Sequence, residues 1–248
     1  MNTTPLRSKE RVSVIKAEYI EHMGSDLRVV NSARVSFSKE SEWYIPEDAQ
    51  KMGYSVNLKL KEEDKKLIIY LAKHNHWTPF SHPQITMRES VPIFVARQRF
   101  KHMVGFTYNE ESRRYIDSKP SFYTPEVWRK RADKVKQGSS NEPVDEPLYI
   151  RNMYTPRTTD DTYKRYLEYA QDLYNDLLEN GTCPEQARMV LPQSMITSYY
   201  VTGSLAAWAR AYKQRIDLHA QKEIRDLAAQ WGEIIEPLFP VSWEALVG

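Results

Sequence analysis

The sequence predicts an α/β protein of the α+β type, in which a few strands combine with several amphipathic helices. Residues 84–90 alternate between apolar and polar side chains, as a half-buried strand does. Residues 62–74 and 159–179 instead repeat their apolar side chains at the spacing of a helix. No Gly-x-Gly-x-x-Gly sequence follows a predicted strand, so the dinucleotide-binding motif of doubly wound folds is missing.

The composition is that of a globular protein with a sizeable core. Of the 248 residues, 41% are hydrophobic and 27% are charged, and the formal net charge is only +2. This balance argues against general nucleic-acid binding. The N-terminus lacks the apolar run of a secretory signal, and no apolar segment approaches the roughly 18 residues of a membrane span. We therefore expect one domain over residues 1–248, in the cytoplasm, without a nucleic-acid or membrane partner.

The elements of the N-terminal part follow from periodicity and from capping residues. Ser25 or Asp26 is placed to cap a short helix, and an acidic first turn supports the next one. The predicted elements are a strand at 11–20, a helix at 27–35, a polar turn at 32–38, a loop at 39–60 and a helix at 62–74.

A second helix–loop unit is predicted after the strand at 84–90. Ser90 can cap a helix whose first turn holds Pro92, and Gly105 should end that helix. We expect residues 106–115 to form a loop that presents side chains. The buried side of the helix is predicted to carry Ile93, Phe94, Ala96, Arg97 and Phe100.

The C-terminal half begins with an excursion from the main core. Five prolines punctuate residues 117–158, which have too few apolar side chains for a core of their own. Further along, Pro192 and Gly203 interrupt residues 189–215, which are compatible with strand or helix. The other predicted elements are helices at 128–137, at 159–179, from Pro184 to Arg188, and at 219–235.

The stretch from Pro92 to Tyr115 concentrates positive charge. It holds five Lys or Arg residues and two Glu residues, a net charge of +3 in a chain that carries +2 overall. Gln, Asn, Ser and His lie among these charges. Such a mixture suits an anion that is also recognised through hydrogen bonds, and a nucleotide fits that description.

Two further features have competing interpretations. Cys183 is the only cysteine, which excludes an intramolecular disulfide and a multi-cysteine zinc site. Its place before Pro184 favours an inert residue over a nucleophile.

His74, His76 and His82 lie within nine residues and are compatible with a metal site. No carboxylate lies among them, so we expect them to hold a loop or to touch a ligand, and we predict no metal.

Separated stretches of the chain resemble one family, the flavin-dependent thymidylate synthases. They occur in the family's order from about residue 12 to the C-terminus, and together they are far more specific than any one alone. The stretches are SARVSF at 32–37, HWTPFSH at 76–82, PIFVARQRFKH at 92–102 followed by NEESRRY at 109–115, PEQARMVLP at 184–192, and SLAAWARAYKQRIDLHAQKEIR at 204–225.

The chain departs from the family's pattern at one motif. The usual motif is Arg-His-Arg, seven residues and then Ser. Here Lys101, His102 and Met103 take the place of Arg-His-Arg, and eight residues separate them from Ser112. The resemblance therefore predicts a variant in which the second motif Arg is replaced by Met103.

The resemblance implies a fold, a reaction and an assembly. The fold is a central, mostly antiparallel sheet flanked by helices. The reaction converts dUMP to dTMP, with 5,10-methylenetetrahydrofolate as carbon donor and FAD, reduced by NADPH, as hydride donor. The expected assembly is a homotetramer with its sites at subunit interfaces.

The resemblance also implies roles for individual residues. Arg215 would polarise the pyrimidine as the catalytic residue, and Glu110 would organise the neighbouring cations. The residues expected to bind dUMP are Gln98, Lys101, Glu110, Ser112, Arg113, Arg114, Arg188 and Arg215. Those expected to bind FAD are Ser36, His76, Thr78, Lys101, His102, Met103, Glu110 and Arg210.

Two other functions are compatible with parts of the sequence. A non-catalytic nucleotide- or RNA-binding protein would use the basic stretch at 97–115 and stack bases on the 16 tyrosines. A metal-dependent nucleotide hydrolase would use the histidine cluster. The first predicts a colourless protein with salt-sensitive polynucleotide binding, and the second predicts inhibition by a chelator.

Overall fold

A computed structural model describes residues 15–46, 58–116, 118–133, 139–145 and 157–248. The strands are β1 (Lys16–Met23), β2 (Gln84–Pro92), β3 (Phe106–Glu110), β4 (Arg129–Arg131), β5 (Ser139–Pro143) and β6 (Ile196–Ser204). The α-helices are α1 (Asp26–Arg34), α2 (Glu62–Lys73), α3 (Ile93–Arg99), α4 (Thr159–Glu179), α5 (Pro184–Ala187), α6 (Leu205–Arg215), α7 (Lys222–Ile235) and α8 (Pro240–Val247). Short 3-10 turns lie at Val35–Phe37, Pro79–Ser81 and Arg188–Val190.

A four-stranded antiparallel sheet forms the centre of the molecule. Its strand order is β1-β2-β6-β3, and Met87 at the middle of β2 lies opposite Tyr19 of β1 and Val201 of β6. Along β2 the side chains of Ile85, Met87 and Val91 are buried on one face, as strand alternation requires. The predicted α+β class, with an antiparallel sheet flanked by helices, is therefore confirmed.

Helices α3, α6 and α7 cover the apolar face of this sheet. Trp208 on α6 packs edge-on against Trp231 on α7, with 5.4 Å between ring centroids. The indole nitrogen of Trp208 donates to the Ile85 carbonyl at 3.1 Å, so its one polar group is satisfied in the core. Both rings are fully buried, and each such side chain contributes about 1.5–3 kcal/mol or more of transfer free energy.

Asp26 connects the first helix to the last one. Ser25 occupies the N-cap position of α1, as predicted, but its side chain makes no capping hydrogen bond. Asp26 instead accepts hydrogen bonds from the backbone N–H groups of Val241 and Ser242, both at 3.0 Å, at the start of α8. Burial raises the pKa of this carboxyl, and the two N–H groups partly offset that cost.

The structure corrects the sequence prediction at the start of α3. Ser90 lies inside β2, where its hydroxyl meets that of Ser198 at 2.8 Å, and Pro92 takes the N-cap position. Val95, Ala96 and Arg99 are the buried residues of α3. Arg97, predicted on the buried side, is exposed. Arg99 lies one helical turn after Val95 on the buried face, whereas Arg97 lies two residues from each and therefore on the opposite side of the helix.

Residues 106–110 form strand β3, not the predicted loop. Glu110 pairs with Tyr199 and Phe106 with Gly203, so β3 is held by β6 from far along the chain. Gly203 therefore lies within a strand instead of interrupting one. A Cβ atom built there would lie 2.3 Å from the Phe106 ring, so only glycine fits beneath that side chain.

The excursion contains a small hairpin of β4 and β5. Strand β4 replaces the first part of the helix predicted at 128–137, and residues 134–138 lie outside the described residues. Arg129 of β4 donates to both carboxylate oxygens of Glu223 on α7, at 2.9 and 3.2 Å. Glu223 is nearly buried, so this ion pair joins the hairpin to the helical layer.

Helices with strong local signals lie where the sequence predicts them. The α4 helix begins at Thr159 and ends at Glu179, and the Thr158 hydroxyl accepts from the Asp161 N–H at 3.1 Å as its cap. The helix predicted at 219–235 begins later, at Lys222. Of the predicted strand at 11–20, residues 11–14 lie outside the described residues, as do 47–57 of the predicted loop. Among the described helices, none is both long and apolar enough to span a membrane.

Candidate active site

The turn between α3 and β3 carries the centre of the candidate site. The helix ends at Arg99, and β3 begins at Phe106 after a turn that contains Gly105. Gly105 has φ +80°, and a Cβ atom there would lie 2.9 Å from the Ala207 Cβ and 3.2 Å from the Ser204 hydroxyl. Glycine is therefore required both by the backbone conformation and by the close approach to α6.

Arg215, at the end of α6, is held against this turn. Its Nε donates to Nε2 of His102 at 2.8 Å, and its Nη2 donates to the Gln98 carbonyl at 3.2 Å. The Gln98 side chain in turn donates to Gln221 at 2.6 Å. Gln98, His102, Arg215 and Gln221 form what we call the Arg215 cluster. Two of the five guanidinium N–H groups are used in these bonds.

His102 in this cluster is electrically neutral. Burial lowers the pKa of its imidazole to about 4, and the positive charges of Arg215, Arg99 and Arg210 act in the same direction. Because Nε2 accepts a hydrogen bond from Arg215, the ring proton of neutral His102 lies on Nδ1. The pKa of Arg215 is itself lowered, first by burial and then by the charge of Arg99.

A fully buried ion pair lies directly behind the Arg215 cluster. Arg99 donates from Nε to Glu89 at 3.1 Å, and the Tyr199 hydroxyl donates to the same carboxylate at 2.5 Å. The Arg99 guanidinium also lies 4.4 to 5.1 Å from the ring centroids of Phe106, Tyr108, Trp208 and Trp231. These aromatic faces stabilise a charge that has left water.

The sequence interpretation did not find this pair, although a signal was present. Glu89 stands at a position where the alternation of β2 calls for an apolar side chain. Arg99 stands on the same face of α3 as the buried Val95 and Ala96. Two opposite charges at buried positions of neighbouring elements indicate a buried ion pair.

Two of the segments expected to bind flavin converge on the N-terminal half of α6. The backbone N–H of Leu205 donates to the Pro83 carbonyl at 3.1 Å, next to the 3-10 turn that follows Thr78. On the other side, the Ser204 N–H donates to the Gly105 carbonyl at 3.1 Å, and Arg210 donates to the Val104 carbonyl. The loop of His76 and Thr78 and the turn of Lys101 to Met103 thus border one helix.

The side chains on these segments are largely exposed. Met103 has 74% of its surface exposed and Trp77 has 64%, which is unusual for large apolar residues. The His76 ring stacks on Tyr70 with an interplanar angle of 18°. Ser36 lies exposed in the 3-10 turn that follows α1, whose last residue Arg34 is fixed by the buried Asp64 at 2.5 Å.

A second group of predicted residues gathers around Glu185. Arg114 lies 3.8 Å from the Glu185 carboxylate, and Arg188 donates to the Glu185 carbonyl at 3.3 Å. Arg114 also donates from Nε to the Ser112 hydroxyl at 3.2 Å. We call Ser112, Arg114 and Arg188 the Arg114 cluster. Arg114 and Arg188 are exposed, and they place two cations on one part of the surface.

Glu110 and Arg113 are turned toward their own chain. Glu110 accepts a hydrogen bond from the Thr197 hydroxyl at 2.7 Å, and within the described residues it makes no ion pair with Arg113 or Arg114. The expectation that Glu110 organises these cations is therefore not met in the single chain. Arg113 is nearly buried and donates to the Ser118 carbonyl, which folds its loop back on itself.

Most of the residues predicted to bind dUMP thus fall into two separate clusters within the chain. Among the residues that the structure describes, no hydrogen bond or ion pair joins the Arg215 cluster to the Arg114 cluster. Lys101 is exposed beside His102. The loop histidines His74 and His76 contact Tyr70, and the described part of the chain holds no group of three or more His, Cys, Asp or Glu residues arranged for a metal ion.

Comparison with known proteins identifies relatives over almost the whole chain. The family model "Thymidylate synthase complementing protein" matches residues 18–241. A flavin-dependent thymidylate synthase of Thermosipho africanus is 35% identical over 228 residues, which cover 92% of this chain and 89% of that protein. The corresponding protein of Thermus thermophilus is 34% identical over 226 residues, 91% of this chain and 73% of that protein.

Solved structures show the same fold. A UMP/dUMP methylase of Streptomyces cacaoi, bound with 5-Br dUMP, superposes with a TM-score of 0.69 at 30% sequence identity. The match covers 93% of this chain and 94% of that one. The same methylase bound with 5-Br UMP gives a TM-score of 0.68 at 28% identity, covering 93% and 92% of the two chains.

Proposed function

Because this chain belongs to the flavin-dependent thymidylate synthase family, we propose that it methylates dUMP to dTMP with FAD as its cofactor. The observation that carries the proposal is the family match over residues 18–241, joined to the Arg215 cluster. The structural neighbour bound with 5-Br dUMP supports the choice of a uridine nucleotide as substrate. We further propose 5,10-methylenetetrahydrofolate as carbon donor and NADPH as reductant.

Arg215 has the properties that activation of uracil requires. Attack at uracil C6 pushes negative charge onto the ring, and fixed cations near its oxygens stabilise that charge. The Arg215 guanidinium is held at two points and is partly desolvated, so it needs little reorganisation to meet such a charge. Its free N–H groups are donors for a uracil oxygen.

His102 keeps Arg215 oriented without competing for the substrate. A protonated imidazole would repel the guanidinium and could not accept its Nε–H. The lowered pKa of His102 keeps the ring neutral at physiological pH, so Nε2 remains an acceptor. Gln98 adds a side-chain amide, tied to Gln221, that suits recognition of the polar edge of a base.

The Arg114 cluster is suited to the phosphate. Arg114 and Arg188 are exposed cations on one surface, and the Ser112 hydroxyl lies beside them. Guanidinium groups bind phosphate through paired, charge-assisted hydrogen bonds. Arg113 supports the loop from within through the Ser118 carbonyl, and Glu110 holds its end of β3 through Thr197.

The residues around the N-terminal half of α6 fit a flavin. Exposed apolar and aromatic side chains, including Met103 and Trp77, offer a surface for a flat ring, and Lys101 and Arg210 offer charge to a diphosphate. His76, Thr78, His102 and Ser36 would complete the cofactor contacts. When bound, reduced FAD supplies the hydride, so the reaction requires no protein nucleophile, which accords with a lone, exposed Cys183.

We also propose that the site is completed by assembly. The two clusters carry complementary functions, base and phosphate recognition, but are not joined by any bond between described residues. A homotetramer, with the Arg215 cluster of one subunit facing the Arg114 cluster of another, would bring them together. We propose that each subunit is one domain from which residues 117–158 form an excursion, and that the enzyme works in the cytoplasm.

An anaerobic assay of the purified protein tests this function. We expect a yellow protein, or one that takes up added FAD, whose visible absorbance is bleached by NADPH. It should then form dTMP from dUMP and methylenetetrahydrofolate, and UMP in a parallel reaction tests the substrate range. A colourless protein that fails to bind FAD would contradict the proposal. Salt-sensitive polynucleotide binding or chelator-sensitive hydrolysis would favour the rival functions instead.

A further inference from the structure

The Tyr108 hydroxyl links the buried ion pair to the candidate active site. Arg99 Nη1 donates to this hydroxyl at 2.5 Å, and the hydroxyl donates to the His102 carbonyl at 2.6 Å. The Arg99 carbonyl lies farther from it, at 3.4 Å. A phenol has a single proton, so the shorter contact to His102 is the main donation.

We propose that Tyr108 is a positioning residue, which fixes the turn of Lys101 to Met103 and thereby the contact between His102 and Arg215. This inference rests on the proposed function and adds a residue that neither substrate nor flavin is expected to touch. The Glu89–Arg99 ion pair supports this arrangement, because Arg99 donates to the Tyr108 hydroxyl from the side of the core.

The surroundings of Tyr108 keep its hydroxyl in one orientation. Its ring packs edge-on against Phe100 at 5.0 Å and lies near Phe106 and Tyr199, so the ring cannot swing away. Burial raises the pKa of Tyr108 to about 12, so the phenol stays protonated and remains a donor at working pH. The cation on one side and the carbonyl on the other define a single direction for the hydrogen bond.

Other bonds hold the turn at its start and at its end. The Lys101 and His102 N–H groups donate to the Gln98 and Arg99 carbonyls at 3.3 and 3.1 Å, and the Phe106 N–H donates to the Met103 carbonyl at 3.2 Å. The Gly105 carbonyl accepts from the Ser204 N–H at 3.1 Å, and the Val104 carbonyl accepts from Arg210. Lys101, Met103 and Val104 are exposed. Among these contacts only the bond from Tyr108 holds the His102 carbonyl, so its loss should loosen the middle of the turn.

Tyr199 provides a matched control for the test. Its ring also packs on Phe100, at 4.8 Å, and its buried hydroxyl donates to the same ion pair through Glu89. Tyr199→Phe therefore removes a more deeply buried phenol oxygen from the same network without touching His102. Both variants keep their rings, and Tyr199→Phe should lower the thermal midpoint at least as much as Tyr108→Phe does.

The two variants should differ at the active site. We expect Tyr108→Phe to weaken FAD binding and lower kcat by about fivefold each, the effect of one ordinary hydrogen bond. In the ligand-free protein, amides 101–105 should exchange with solvent faster than in wild type. Tyr199→Phe should leave all three quantities within about twofold, because its bond points away from the turn. Equal behaviour of the two variants in these measurements would overturn the inference.

A second pair of variants tests whether an unpaired buried charge, and not the lost contact to His102, causes these effects. In the background Glu89→Gln with Arg99→Met, no buried charge is left unpaired when the Tyr108 hydroxyl is removed. Adding Tyr108→Phe to this background should again speed exchange of amides 101–105, and no further change would contradict the proposal. If wild type binds no FAD and makes no dTMP, the proposed function fails, whereas the exchange data still decide the role of Tyr108.

Discussion

The two clusters of candidate site residues differ in how firmly the chain holds them. Arg215 is fixed by His102 and Gln98, and behind them lies a buried network of charge and aromatic rings. Arg114 is exposed and meets Glu185 only at 3.8 Å, a surface contact worth little in water. The Arg215 guanidinium is thus preorganised by its own chain, whereas that of Arg114 makes only weak surface contacts with Ser112 and Glu185.

This difference corresponds to the tasks that we propose. A group that stabilises charge developing on a ring must be in place beforehand, because reorganisation during the reaction would cancel its benefit. A group that binds a phosphate can be fixed by the phosphate itself. Substitutions in the first cluster should therefore act on kcat, and those in the second on the KM for dUMP.

The largest effect is expected from Arg215→Ala. Removing one preorganised donor to a developing negative charge typically lowers kcat by about 10²- to 10³-fold. FAD binding should be retained, because Arg215 ends α6, whereas the proposed flavin contacts lie around the N-terminal half of that helix. Initial rates of dTMP formation, with the flavin absorbance recorded on the same samples, measure both quantities.

Arg215→Lys is the matched control for charge. Lysine keeps the positive charge but cannot donate to His102 and to the Gln98 carbonyl in the same planar geometry. It should recover only a small part of the lost activity. Full activity in either variant would refute the role of Arg215.

A smaller effect is expected from Arg114→Ala and Arg188→Ala. Each loses a charge-assisted contact to the phosphate, which should raise the KM for dUMP by about 10- to 100-fold with little change in kcat. The KM should also depend less steeply on salt than in wild type. Arg97→Ala, which removes another exposed cation, serves as the control. A fall in kcat without a rise in KM would remove the distinction between the clusters.

The neutrality of His102 should be visible in the pH dependence of stability. Its pKa is about 4 in the folded protein and about 6.5 when unfolded, so the unfolded chain alone takes up a proton between these values. The free energy of unfolding should therefore fall by about 1 kcal/mol per pH unit as the pH drops from 6.5 toward 4. Denaturant titrations across this range measure the slope.

His102→Gln isolates the contribution of the imidazole. The glutamine side-chain oxygen can still accept from Arg215, but it does not titrate in this range. In this variant the free energy of unfolding should fall less steeply as the pH drops from 6.5 toward 4. If both proteins lose stability equally between pH 6.5 and 4, then His102 is not held neutral, and the firm contact to Arg215 is in question.

Prediction from sequence succeeded where the information was local. Helix α4 was predicted from Thr159 to Glu179 because its cap, its apolar stripe and the following Gly181 are all neighbours in sequence. Strand β3 was not predicted, because its residues pair with β6. That strand lies far along the chain, so the sequence around β3 carries no sign of the pairing. A polar strand that depends on a remote partner has the same composition as a loop.

The same limit applies to the candidate site. Arg188 and Arg215 were singled out through resemblance, since an Arg on a helix is otherwise more often a surface residue, and Gln221 of the Arg215 cluster was not predicted. The sequence carried a signal for the Arg that faces inward, because Arg99 lies one helical turn after Val95, but the prediction placed Arg97 on the buried side. Arg99 is buried and Arg97 is exposed, although both fall in one charged stretch.

The smallest effect is expected from Cys183→Ala, which tests whether the Arg114 cluster responds to any local change. Cys183 is exposed and stands at the N-cap of α5, where its carbonyl accepts from Gln186 and Ala187 but its side chain makes no capping bond. The variant should keep kcat and KM within about twofold, because surface substitutions away from contacts change stability by only about 0.5 kcal/mol. Steady-state measurements of kcat and of the KM for dUMP, made in parallel on Cys183→Ala and Arg188→Ala, test this expectation. A rise in KM similar to that of Arg188→Ala would mean that the helix start, and not the cation, controls binding.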